Sequence, residues 1–193
     1  MATPAKLILA SASPRRYQLL TDAGYRFTVY ASNIDEEDVL PGLGPGELAE
    51  YLARRKAAAV ASIFPDQIVL AADTVVTDTR EILGKPRDAD DAERMLRLLS
   101  GSVHSVITGV AVVCLTEKFA KHTRVVSAVH MRLLTDVEIT DYVASRAWEG
   151  KAGGYGIQDP DPFVTRTSGS HTNIVGLPME VVGDLLKEAG LTP

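Results

Sequence analysis

Leu7-Ile8-Leu9-Ala10-Ser11-Ala12-Ser13-Pro14-Arg15-Arg16-Tyr17 is the stretch on which the fold turns. Leu7–Ala10 has the length and apolarity of a short buried strand. The run breaks at Ser11-Ala12-Ser13, where Ser13 is a good helix N-cap and Pro14 a good first helical residue. A helix therefore opens at Pro14 and ends near Gly24. Its first turn is unusual. Helix N-termini carry partial positive charge and unpaired N–H groups, so acidic side chains belong there. Two arginines do so only as a solvated helix start or where an anion sits among them, and hydroxyls, free N–H groups and guanidiniums together describe a phosphate cradle. A second helix in the same chain follows the ordinary rule. It begins around Asp88 with Asp90, Asp91 and Glu93 early and Arg94 and Arg97 later, and closes at Gly101. The departure at Arg15 and Arg16 thus marks a candidate working site.

Strand-like and helix-like segments alternate onward from there, which predicts an α/β fold with a mixed central sheet flanked by helices. Phe27–Ala31 reads as a strand leading into the acidic loop Ile34-Asp35-Glu36-Glu37-Asp38. Pro45 opens a helix through about Ile63 with Leu48, Leu52, Ala59 and Ile63 on one stripe. Gln67–Val76 is apolar at consecutive positions, so both faces of this strand should be covered. Val103–Leu115 and Ala120–Leu134 form a long β-hairpin across Thr116-Glu117-Lys118-Phe119, although that separator lacks the usual Gly or Asn. Thr135–Ser145 resembles a helix. Phe163–Thr167 and Ser170–Val175 read as two short strands joined by Ser168-Gly169, and Pro178 starts the last helix. No repeat or linker divides the chain, so residues 1–193 are expected to fold as one domain.

The bulk properties narrow the function. The 193 residues are 46% hydrophobic, enough for one substantial core. A net charge of −5 argues against broad electrostatic binding to nucleic acid, whereas a local basic cluster suits a small polyanion. Cys114 is the only cysteine, so no internal disulfide can form. With neither a signal-peptide pattern nor an apolar stretch near the length of a membrane span, a soluble cytoplasmic protein is expected, with no membrane partner.

Asp73 is the second strong signal. It interrupts the apolar run Ile68-Val69-Leu70-Ala71-Ala72 before Thr74-Val75-Val76. An ionised carboxylate inside a central strand requires a cation, a metal or protonation, unless Asp73 lies at a strand end and caps a turn. Glu36 in its acidic loop is the natural companion, because two carboxylates from separate segments meeting at phosphates is the usual Mg²⁺ arrangement. Lys56 and Arg55 both lie near the edge of their helix stripe, and either could point inward. Lys85, in Leu83-Gly84-Lys85-Pro86, is placed to lie over a phosphate. It is not a Walker A lysine, because Thr79 and Pro86 stand where that motif needs Gly and Ser/Thr. The glycine-rich run Gly153–Gln158 either makes a tight turn or approaches a ligand, and Gln158 can both donate to and accept from a base edge. His104, His122, His130 and His171 show no metal-ligand spacing.

Taken together, these stretches resemble the Maf family of nucleoside triphosphate pyrophosphatases. The likeness is carried by Leu9–Arg16 (LASASPRR), Asn33–Glu36 (NIDE), Ala71–Val76 (AADTVV), Ile82–Pro86 (ILGKP), Leu99–Val110 (LSGSVHSVITGV), Gly150–Gln158 (GKAGGYGIQ) and Val175–Pro178 (VGLP), in order over nearly the whole chain. The resemblance implies an α/β enzyme, homodimeric and cytoplasmic, that uses a divalent metal, Mg²⁺ or Mn²⁺, to split nucleoside triphosphates into a monophosphate and pyrophosphate. It implies Asp73, Glu36 and Lys85 as catalytic residues, with Asp73 and Glu36 also holding the metal. Ser11, Ser13, Arg15, Arg16, Lys56, Thr74 and Gln158 are implied in substrate binding. Arg15, Thr74 and Gln158 resemble the branch acting on dTTP and UTP. Where that family commonly has glycine after the glutamine, this chain has Asp159-Pro160-Asp161-Pro162, which bears on base preference. Alternatives are a pyrophosphatase for modified or other nucleotides, or a nucleotide-sensing regulator of cell division without turnover.

Overall fold

β1 (Leu7–Leu9) lies between β2 (Phe27–Val29) and β3 (Ile68–Thr77), parallel to both. On its other side β3 pairs antiparallel with β5 (Val103–Cys114), which pairs with β6 (Phe119–Met131), which pairs with β7 (Val164–Ser168). The two-residue β4 (Ile82–Leu83) also pairs with β3. A computed structural model describes residues 7–78, 80–160 and 163–193, and among these the sheet has seven strands, mixed in direction as expected.

The register leaves a gap along one edge of β3. β5 covers β3 from Val69 to Thr77. Along the opposite edge, β1 pairs only with Ile68–Leu70 and β4 only with Val76 and Thr77. Residues 71–75 have no strand beside them on that edge among the described residues. Asp73 sits in the middle of this opening.

The consecutive apolar positions Ile68–Ala72 of β3 are explained by cover on both faces. On one face Ile68 and Leu70 join Leu7, Leu9 and Leu20 under Val182, Leu185 and Leu186. Leu20 comes from α1 (Pro14–Asp22), and the other three from α6 (Met179–Glu188). On the opposite face Val69 and Ala71 join Ile8 beneath Ala53, Ala57, Val60 and Ala61 of α2 (Pro45–Ala61). A third cluster packs α3 (Ala89–Leu99) and α4 (Asp136–Ala144) against the far end of β3, β5 and β6.

Three expectations need correction. Ser170–Val175 is not a strand but holds a short helix, α5 (His171–Val175). Its β-branched residues suggest a strand, yet the Ser170 hydroxyl caps the Asn173 N–H at 3.1 Å and Gly176 ends the helix at φ 118°. The α2 stripe is rotated from the one expected. Ile63 lies beyond the helix and is exposed, while Ala49, Leu52, Ala53, Lys56, Ala57 and Val60 form the buried face. The second hairpin strand stops at Met131, not Leu134. The hairpin itself forms, with Lys118 taking the positive φ of 52° that glycine or asparagine usually supplies.

α2 can lie close to the sheet because residue 109 is glycine. A Cβ there would sit 2.3 Å from the Ala49 carbonyl oxygen. Gly109→Ala is therefore expected to push α2 outward and destabilise the protein by about 1–3 kcal/mol, read as a lower urea midpoint. A second expectation concerns His104, which is 2% exposed with Nε2 2.6 Å from the Tyr155 hydroxyl. The Ser102 hydroxyl donates to Leu99 O, so it accepts from His104 Nδ1, and Nε2 is left to accept from Tyr155. Burial lowers the His104 pKa to about 4, with Asp78 opposing and His130 assisting. The unfolded chain takes up this proton near pH 6.5 and the folded protein only near pH 4, so stability falls as pH drops through that window. A loss of about 2 kcal/mol is expected between pH 7 and pH 5, and His104→Gln should flatten that dependence.

Candidate active site

The opening in the β3 edge becomes a cleft of about 550 Å³, lined from four directions. The Ser11–Arg16 corner forms one wall and the Ala31–Glu36 segment another. Lys56 reaches in from α2, and the 149–159 loop closes the far end together with Ile174–Gly176. Every sequence-predicted site residue lines it: Ser11, Ser13, Arg15, Arg16, Glu36, Lys56, Asp73, Thr74, Lys85 and Gln158. Asp161, Pro162 and Thr79 lie outside the described residues.

Asp73 and Thr74 are consecutive strand residues, so their side chains leave on opposite faces. Asp73 faces α2, and Lys56 meets it there, with Nζ 2.5 Å from Asp73 Oδ1. The same ammonium lies 2.7 Å from Glu36 Oε1, and Lys85 Nζ lies 3.7 Å from Glu36 Oε2. Asp73 and Lys56 are 6% and 5% exposed, so their charges are stable only because they are paired. The choice between Lys56 and Arg55 is now decided. Arg55 turns outward to Asp38 at 3.1 Å and packs over the Tyr51 ring. Asp73 Oδ2 accepts no hydrogen bond from a described residue, which leaves one oxygen available to the cleft. Burial raises the Glu36 pKa, but the hydrogen bond and charge of Lys56, with Lys85 and Arg16, outweigh it and hold the group below the ordinary glutamate value.

On the other face Arg16 is fixed by three bonds. Its Nε donates to Gly176 O at 2.8 Å, Nη1 to Ser11 Oγ at 3.2 Å and Nη2 to Thr74 Oγ1 at 3.0 Å. Its remaining N–H groups have no protein partner among the described residues. Burial lowers the Arg16 pKa, Asp73 and Glu36 oppose this, and neighbouring Arg15 adds to the lowering. A desolvated guanidinium beside a second one is a strong anion site. Arg15 donates to Gly150 O at 2.9 Å. Ser13 caps α1, accepting from Arg16 N at 3.4 Å. The first turn of α1 holds no acidic residue, as the sequence indicated.

Two supporting residues escaped the sequence reading. Thr74 Oγ1 lies 2.9 Å from Thr108 Oγ1, and Thr108 donates to Asn173 O at 3.1 Å. Asn173 Nδ2 in turn donates to Val106 O and Ser127 Oγ. This buried chain backs the Arg16 wall. A polar Asn173 inside an apparent strand was the one available sign of it.

The donor set suits a hard divalent cation. Two carboxylates from separate segments converge on one point, where an ammonium already shows that positive charge is stabilised. No group of three or more His, Cys, Asp or Glu side chains gathers among the described residues, so such an ion would draw further oxygens from phosphate and water.

Comparison with known proteins agrees with the motif content. A family model described as Maf-like protein matches residues 6–189. A dTTP/UTP pyrophosphatase of Geobacter sulfurreducens is 47% identical over 188 residues, covering 96% of this chain and 98% of the relative. One from Pelotomaculum thermopropionicum is 42% identical over 186 residues, covering 96% and 97%. Among solved structures, the Ham1 protein of Staphylococcus aureus aligns at TM-score 0.45 and 13% identity, over 65% of this chain and 71% of that one. No described helix is long and apolar enough to cross a membrane. With a family model spanning residues 6–189 and close relatives matched along nearly their full length, the chain belongs to the Maf family.

Proposed function

We propose that the chain hydrolyses dTTP and UTP to the nucleoside monophosphate and pyrophosphate, by attack of water at the α-phosphorus. The observation that carries this reading is the convergence of Arg16, Lys56 and Lys85 with Asp73 and Glu36 in one cleft at the open edge of β3. Cations alone would describe a binding site for a polyanion. Two added carboxylates weaken such binding and are explained by chemistry on the anion.

The roles follow from position. Arg15, Arg16 and the N–H groups of the first α1 turn, with Ser11 and Ser13 beside them, face a phosphate chain entering the cleft. Thr74 holds Arg16 in place from the floor. Asp73 Oδ2 orients the attacking water and takes its proton as the new P–O bond forms. The bond from the α-phosphorus to the bridging oxygen breaks, and pyrophosphate departs with the electron pair. Lys56 and Lys85 offset the charge that develops on it. Glu36 and Asp73 would hold a divalent cation, Mg²⁺ or Mn²⁺, which when bound polarises phosphoryl oxygens and acidifies water. Gln158 offers a donor and an acceptor to the base edge. The likeness to the Maf enzymes extends the reading to a homodimer working in the cytoplasm.

Pyrophosphate release from a panel of nucleoside triphosphates, with Mg²⁺, with Mn²⁺ and with neither, tests the proposal. Turnover of dTTP and UTP above purine nucleotides, lost without metal, is expected. Stoichiometric binding without release would instead indicate a nucleotide sensor. Asp73→Asn keeps the side-chain shape and leaves Lys56 paired with Glu36. It should lower kcat by about a hundredfold or more with an unchanged melting temperature. Lys85→Ala, at a side chain 57% exposed, should lower kcat and raise KM together, since its charge acts on both bound phosphate and leaving group.

A further inference from the structure

The 156–159 segment at the base end of the cleft is tied at both ends by one side chain. Asp159 N donates to Gly156 O at 3.3 Å, the closing bond of a four-residue turn. In return Gly156 N donates to Asp159 Oδ2 at 2.9 Å. The two residues held between are Ile157 and Gln158. The carboxylate is itself anchored from two other places. The Tyr142 hydroxyl of α4 donates to Oδ2 at 2.6 Å, and the Lys151 ammonium donates to Oδ1. Tyr142 is fixed by edge-on packing with Phe163 at 4.9 Å, and its burial raises the phenol pKa, so it stays a donor. A side chain at 156 would make the Asp159 carboxylate and the Lys151 ammonium shift. A Cβ there would lie 2.8 Å from Asp159 Oδ1 and 2.9 Å from Lys151 Nζ.

Gln158 contrasts with this rigid frame. It is exposed at the rim of the cleft, and its amide bonds to no described residue. The backbone of the turn fixes where its Cα–Cβ bond starts and points, and the amide beyond it is free to meet a ligand. The geometry points to Asp159 as the positioning residue that aims Gln158 at the nucleobase, a determinant of base selectivity that itself touches no substrate. This rests on the pyrophosphatase reading. The phosphate grip is built on other elements (α1, α2, β3 and the 31–36 segment), so Asp159 acts on recognition of the base and not on the tail. Arg15, whose burial lowers its pKa while Asp159 and Tyr142 raise it, marks where the two regions meet.

The test is a double-mutant cycle on the full chain with Asp159→Ala, Gln158→Ala and the pair, each first checked by thermal melting. Steady-state UTP and dTTP hydrolysis is measured, together with competitive inhibition by inorganic tripolyphosphate, which has no base. Each single variant is expected to raise KM about tenfold, the scale of one lost hydrogen bond, with kcat within about twofold. The double variant should be no worse than Gln158→Ala, and inhibition by tripolyphosphate should not weaken in any of them, because losing the carboxylate near Arg15 leaves that cation less offset. Asp159→Asn, which keeps an acceptor for Gly156 N, should recover part of the loss, and it carries the cycle if the alanine variant does not fold. Losses that multiply in the double variant overturn the assignment, as does an unchanged KM in Asp159→Ala. Weaker tripolyphosphate inhibition by the same factor also overturns it, because the damage is then general. If the intact protein releases no pyrophosphate, the pyrophosphatase reading fails. The same cycle read on UTP affinity by calorimetry then decides the part played by Asp159: coupling to Gln158 sustains it, and additivity or absence of binding ends it.

Discussion

One ammonium between two carboxylates organises this molecule. Lys56 links α2 to the central strand through Asp73 and links the acidic 34–38 loop to both through Glu36. Removing Lys56 would leave the buried Asp73 carboxylate without a partner, a loss of about 3–5 kcal/mol, whereas losing the Asp73 charge still leaves Lys56 with Glu36. The triad therefore constrains where α2 lies, and Gly109 permits that position by letting the helix backbone rest on β5. Replacing the ions with apolar residues would fill the same space without that tension. Retaining three charged groups at the edge of a core fits the proposal that they meet an ionic ligand.

The opposite wall obeys a different logic. It is made of neutral hydroxyls, an amide and a carbonyl leading from Arg16 through Thr74 and Thr108 to Asn173. These groups carry no charge, so they hold the guanidinium without neutralising it, while the Asn173 amide oxygen itself is buried with no partner among the described residues. A carboxylate in place of Thr74 would fix Arg16 as firmly and cancel its charge. The cleft thus has one side whose charges are paired with one another and one side whose guanidinium keeps its charge. Both project from adjacent residues of one strand, where β1 has ended and β4 has not begun.

Much of this was legible in the sequence, and the reasons are local. Ser13, Pro14 and the missing acidic residue at the start of α1 state a helix and an unmet charge within a few positions. Asp73 stands out because everything around it is apolar. The hairpin was readable from its length although Lys118 carries the turn. Other features depend on distant partners and were not readable. Which of Arg55 and Lys56 points inward depends on the rotation of α2, which Gly109, 53 positions after Lys56, helps to set. α5 carries strand-forming residues but is governed by its capping serine and terminal glycine. The roles of Asn173 and Asp159 are hydrogen-bonding roles, and composition does not reveal which buried carbonyl or amide a side chain will meet.

Arg16 is fastened to Gly176, 160 positions later in the chain, and β1 is roofed by α6 from beyond that point. Contacts of such long sequence separation carry a loop-closure cost. A nascent polypeptide emerging from the ribosome would have its arginines exposed long before the carbonyl that orients them existed. Until residue 176 has been made, Arg16 has only Ser11 and Thr74 to hold it. The pairing of Arg16 with that carbonyl therefore waits for the last helices, and an incomplete chain lacks one of the contacts that fix the guanidinium.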